Sequence, residues 1–201
     1  MHISEGVLNL PVLSGGYFFT FIGVGIGLRT LKGERVVRTA VLSSAFFVAS
    51  LIHIPFGPTS VHLVLNGLVG ILLGWETFCA VFVALMLQAI LFQFGGISSL
   101  GINTFNMAVP GVIVYYLFSR KIRKCSKGAT LIGGFLAGFS GVFFGGVFLS
   151  LSLYLSGEQF LSTAKLAFVA HLPVMIIEGI ITALVLQFIC RVKPEMLVMD
   201  S

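Results

Sequence analysis

Met1 and His2, the first two residues, offer a metal ion three nitrogens in succession. They are the α-amine, the His2 backbone amide and the imidazole Nδ1, and on one ion they close a five-membered and then a six-membered ring. A fourth nitrogen would complete a planar N4 set, the geometry suited to Ni(II) or Cu(II). His62 is the candidate for that position, with Asn66 one turn further on the same predicted helix face as an orienting partner. The other polar residues in apolar surroundings are few: Glu5, His53, Gln88, Asn103, Asn106, His171 and Glu178. In a membrane such groups are costly and point to function by default. They form no Ser/His/Asp set, no HExxH and no Gly-rich phosphate loop. His171 and Glu178 share a helix face but stand about two turns apart, too far for direct contact. Nothing reads as enzymatic, and any ATP-driven work requires other chains.

The elements that must position these residues follow from composition. Of 201 residues, 57% are hydrophobic and only 9% charged, against about 25% charged in a soluble domain. Mean hydropathy is +1.08. That excludes a disordered chain, a disulfide-rich secreted scaffold and an ordinary soluble enzyme, and it leaves an all-α integral membrane protein. No Asp, Glu, Lys or Arg occurs in 6–28, 39–75, 77–119 or 128–157, and 166–190 holds only Glu178. A crossing takes about 20 apolar residues, so the two longest runs must break. Pro55-Phe56-Gly57-Pro58 breaks the first, and the run from Gly95 to Gly101 breaks the second. Seven helices are expected near 12–31, 37–53, 59–74, 75–93, 103–119, 128–156 and 162–190, in one domain spanning 1–201.

Seven crossings with the N-terminus outside put eleven of the 12 basic residues on the cytoplasmic side, leaving only Lys165 outside. The net charge of +5 is then a topology signal with no need of nucleic acid. A cleaved signal peptide begins with a basic region, but the first basic residue is Arg29, so Met1 is expected to be the mature terminus. Cys79, Cys125 and Cys190 have no CxxC spacing and fall near the reducing cytoplasmic side, so no redox or metal role is expected. Gly133, Ala137, Gly141 and Gly145 form an i, i+4 row, with Gly134 and Gly138 beside it. Small residues let helices approach closely in lipid, so the row serves packing within the bundle or docking of a separate membrane subunit.

The opening Met1-His2-Ile3-Ser4-Glu5-Gly6 resembles that of the CbiM/NikM family, the metal-binding S components of energy-coupling factor transporters for cobalt and nickel. The likeness continues through Ile52-His53-Ile54-Pro55, Gly57-Pro58-Thr59-Ser60-Val61-His62-Leu63 and Gln88-Ala89-Ile90-Leu91-Phe92 with Phe94-Gly95-Gly96. It extends to Leu100-Gly101-Ile102-Asn103-Thr104-Phe105-Asn106-Met107, His171-Leu172-Pro173, Ile177-Glu178-Gly179 and Val192-Lys193-Pro194-Glu195. Ser4 departs from the Met of many members associated with cobalt. The resemblance implies a seven-helix S component in the bacterial cytoplasmic membrane, with its N-terminal segment tucked into the bundle. It implies the Met1 amine, the His2 amide and imidazole, and the His62 imidazole as ligands. Partners would be a transmembrane coupling subunit, cytoplasmic ATPases and in some members a small accessory membrane protein. Co2+ or Ni2+ is cargo, and no cofactor is implied.

On this reading, Gln88, Asn103 and Asn106 hydrogen-bond the N-terminal segment. Glu178 joins them, balances the cation or meets the amine, or is a structural carboxylate paired with a neighbouring helix. His53 and His171 are structural in preference to guiding metal inward. Because the ligands bind protons, affinity should fall between about pH 8 and 6. The alternatives are an S component for an organic vitamin and a stand-alone secondary metal transporter. The first needs a roomy cavity with aromatic and hydrogen-bonding walls. The second needs inverted repeats or broken helices in corresponding halves, which the sequence lacks. Nickel versus cobalt, and the pathway served (cobalamin synthesis or nickel-enzyme assembly), stay open.

Overall fold

A computed structural model describes residues 1–51, 53–56 and 59–197, with 53–56, 59 and 61 described by their backbone alone. After an irregular segment, α1 (Leu10–Thr30) opens with Pro11 in its first turn, and the Asn9 side chain caps it by accepting the Val12 N–H at 3.1 Å. Next come α2 (Glu34–Ala49), β1 (His53–Phe56), β2 (Thr59–His62) and α3 (Asn66–Leu73). A 3₁₀ turn (Gly74–Glu76) leads into α4 (Thr77–Phe92), followed by α5 (Leu100–Ile122) and α6 (Lys127–Ser156). A second 3₁₀ turn (Glu158–Phe160) precedes α7 (Leu161–Ala170) and α8 (Leu172–Val192), and Pro194–Leu197 ends the described chain.

Among the described residues, five helical stretches are long and apolar enough to cross a membrane: Leu10–Thr30, Asn66–Phe92, Leu100–Ile122, Lys127–Ser156 and Glu158–Val192. Of the expected breaks, Pro55 and Phe56 fall on β1, while Gly57 and Pro58 lie outside the described residues; Gly95–Ser99 fall between α4 and α5, and Gly101 is already within α5. Two expectations are corrected. The helix proposed for 59–74 is instead an antiparallel strand pair followed by a short helix. His53 pairs with His62 and Phe56 with Thr59 in that ladder, so His62 sits on a strand. β-branched Thr59 and Val61 favour the extended form, and Leu65, at φ +54°, turns the chain into α3. The helix proposed for 162–190 is two helices, because Pro173 in the first turn of α8 cannot continue the α7 ladder.

α6 is the hub. It packs on α8, α5, α7 and α3, while α5 also meets α1, α3 and α4. The small-residue row turns inward. A Cβ on Gly134 would come within 2.8 Å of the Ala183 backbone on α8, and one on Gly141 within 2.7 Å of the Asn66 side chain and the Gly67 backbone on α3. The row therefore packs the bundle. Outward faces carry Phe18, Phe21, Leu117, Ile132, Leu184 and Phe188, as a lipid-facing surface requires. A buried Glu76 takes Arg35 in an ion pair at 3.1 Å, tying the start of α2 to the turn before α4.

The bland reading of the cysteines is corrected as well. Cys125, in the turn between α5 and α6, and Cys190, near the end of α8, are joined by a disulfide, with Cα atoms 5.4 Å apart. Spacing rules miss this pair because 65 residues separate its members and only helix packing brings them together. Cys79 is free and buried.

Candidate metal centre

The N-terminal segment is threaded into the bundle, with Met1, His2 and Ile3 all buried. Backbone buried in this way needs partners, and side chains supply them. Asn103 on α5 clamps Ile3 from both sides. Its Oδ1 accepts the Ile3 N–H at 2.9 Å, and its Nδ2 donates to the Ile3 carbonyl at 3.0 Å. The Ser99 hydroxyl donates to the same carbonyl at 2.9 Å. Further out, Glu5 accepts the Ser98 N–H at 2.8 Å, and that backbone hydrogen bond holds the Glu5 carboxyl below its usual range. Gly96, at φ +111°, leaves room for Glu5 that a Cβ would occupy.

At the inner end, the Met1 amine donates to the Ser60 carbonyl on β2 at 2.7 Å. Its side chain lies over Gly145 of α6, where a Cβ would come within 2.9 Å of the sulfur. The His2 and His62 rings are neighbours, with centroids 4.7 Å apart. Residues 60 positions apart thus meet because β2 runs beside the segment.

Hydrogen bonding dictates the tautomer of each ring. Gln88 donates through Nε2 to the Phe47 carbonyl at 3.1 Å and to Ser50 Oγ at 2.5 Å. A carbonyl only accepts, so the amide group is oriented with Oε1 toward His2 Nε2, 2.9 Å away. His2 Nε2 thus donates to Gln88, and on the neutral ring Nδ1 is the basic nitrogen. His62 Nδ1 lies 2.7 Å from the Leu63 carbonyl, so it carries the proton there. His62 Nε2 is buried and, among the described residues, makes no hydrogen bond. Burial also lowers the Met1 amine well below its usual range.

The remaining predicted residues divide. Gln88 and Asn103 contact the N-terminal segment directly. Asn66 donates to the Gly141 carbonyl at 2.9 Å and lies beside the Met1 side chain. Asn106 instead accepts from Ser152 at 3.2 Å, joining α5 to α6. Glu178 accepts the Val64 and Leu65 N–H groups rather than meeting the amine. His171 is buried with Nδ1 2.7 Å from the Ala167 carbonyl, and the His53 side chain lies outside the described residues. Sequence reasoning missed Ser50, Ser60, Ser99 and Gly145: three act through a hydroxyl or a backbone carbonyl, and Gly145 acts by lacking a side chain. Among the described residues no three His, Cys, Asp or Glu side chains converge.

Apolar helices closed around a buried polar strand define a polytopic α-helical membrane protein. Residues 2–196 match the family described as CbiM, cobalt uptake substrate-specific transmembrane region, and the chain belongs to that family of membrane transport proteins. A Haemophilus influenzae protein named for metal transport is 42% identical over 199 residues, covering 98% of this chain and 97% of that protein. The cobalt transport protein CbiM of Sorangium cellulosum is 31% identical, covering 98% and 94%. A crystal structure of a transition metal transporter superposes with a TM-score of 0.80 at 23% identity, covering 96% and 93%.

Proposed function

We propose that this chain is the ion-capturing membrane subunit of an ATP-driven energy-coupling factor importer for Co2+ or Ni2+. The Met1 amine, the His2 amide and Nδ1, and His62 Nε2 form the planar donor set. The observation that carries this is the meeting of the two rings, 4.7 Å apart beside the buried terminus, with His2 Nε2 held by Gln88 and His62 Nδ1 by the Leu63 carbonyl. Relatives named for cobalt transport, and a Rhodobacter capsulatus protein named as a fused nickel transporter (33% identical, 71% of this chain and 44% of that protein), support the choice of ion. Residues 1–201 act as one unit with seven crossings, the N-terminus outside and the C-terminus cytoplasmic, as the basic residues favour. The third crossing is the β2–α3 segment, whose irregular backbone is tolerated at membrane depth because protein encloses it. The sequence carries no Gly-rich phosphate loop, and in this reading a coupling subunit and ATPases drive release.

The test is calorimetric titration of Ni2+ and Co2+ into the purified protein, beside the variant H2A. One-to-one binding weakened on the order of 100-fold or more in H2A is expected, because removing the imidazole leaves only the amine and amide arm of the chelate. Equal binding by both proteins overturns the site. A second reading, an organic ligand, draws on one observation. A 390 Å³ crevice between α1, α5 and α6 is walled by Phe19, Phe105 and Phe148, with Asn106 and Ser152 at hand. Absent metal binding together with vitamin binding would favour it.

A further inference from the structure

Glu178 is fully buried on α8, yet its contacts lie on the connection between His62 and α3. Its Oε1 accepts the Val64 N–H at 2.5 Å and the Leu65 N–H at 2.8 Å. Two successive N–H groups converging on one oxygen form a small anion nest. They lie where the strand ends and Leu65 takes its left-handed turn. α3 has no side-chain cap of its own, so a carboxylate from α8 meets the positive end of that helix. Leu63, whose carbonyl fixes the His62 tautomer, lies within the same crank. The second oxygen, Oε2, is buried and, among the described residues, makes no hydrogen bond. Gly138 permits the arrangement, because a Cβ there would collide with the Glu178 carbonyl and hold α8 away from α6.

We propose that Glu178 is the positioning residue of the metal site: by gripping the Val64 and Leu65 amides it aims His62 Nε2, and it makes the fourth ligand depend on how α8 sits against α3. Resting on the metal-capture reading above, this also supplies a release handle. A displacement of α8 that breaks the two amide contacts frees the crank and withdraws one ligand, while the N-terminal chelate stays intact.

A double-mutant cycle on Ni2+ affinity tests it, with the visible absorption of bound Ni2+ followed in each variant. E178A should weaken binding on the order of 10- to 100-fold and shift the absorption toward that of H62A. In the H62A background the same change should have little further effect, because the residue acts through His62. E178Q, which keeps an acceptor oxygen, should recover part of the loss. Unchanged affinity in E178A, or an equal loss in both backgrounds, overturns the proposal. If E178A does not fold, E178M, which keeps the volume but has no acceptor oxygen, run through the same cycle decides by the same two outcomes. A wild-type chain that binds no metal fails the capture reading and this one with it, whereas binding that is insensitive to Glu178 fails this one alone.

Discussion

At the scale of single residues, the site depends on which nitrogen of each histidine carries a proton. Gln88 has its own amide oriented by the Phe47 carbonyl, and that turns its Oε1 toward His2 Nε2. This has a consequence for pH. An amine ordinarily titrates near 8, but burial lowers the Met1 amine well below that value. A base whose folded pKa is depressed stays neutral until pH falls below that lowered value. The His2 amide must give up its proton on binding, and protons compete with the ion for the remaining nitrogens. Between pH 8 and 6, log affinity for Ni2+ should therefore fall by at least about one unit per pH unit. Calorimetry in matched buffers measures the slope, and a flat response would overturn the amine–amide–imidazole set. In the metal-free protein the same depression makes the unfolded chain bind more protons, so stability should decline as pH drops below the ordinary amine value.

At the scale of elements, α6 and α8 decide the packing. The Gly133–Gly145 row faces inward against α8, α3 and Met1, so internal packing accounts for it. The Cys125–Cys190 bond ties the α5–α6 turn to the end of α8. A thiol-reactive polyethylene glycol should add one copy, on Cys79, to the oxidised, denatured chain and three copies after reduction, read as gel shifts. Three copies before reduction would remove the bond. Hydropathy located the breaks at Pro55–Pro58 and Gly95–Gly101 because proline and glycine act locally. It missed the β1–β2 ladder, since an apolar strand and an apolar helix look alike over a few residues. It also carried one helix across His171, where Pro173 in the next turn was the available signal.

At the scale of the whole molecule, the proposed orientation puts Lys165 outside and the turn around Lys124 in the cytoplasm. In a Cys-free background, a cysteine at 165 should react with an impermeant maleimide on intact cells, and one at 124 only after permeabilisation. The reverse pattern would invert the topology. Membrane residence, the position of most helices and the chelating potential of Met1-His2 are all properties of composition and neighbouring residues, and they could be read along the chain without a fold. The partners could not. Ser60 beneath the amine, Gln88 behind His2, Glu178 behind His62 and Cys190 opposite Cys125 are separated from them by 59, 86, 116 and 65 positions. No local rule links such pairs, because each meeting depends on how closely glycine-lined helices approach, and that distance exists only once the bundle has packed.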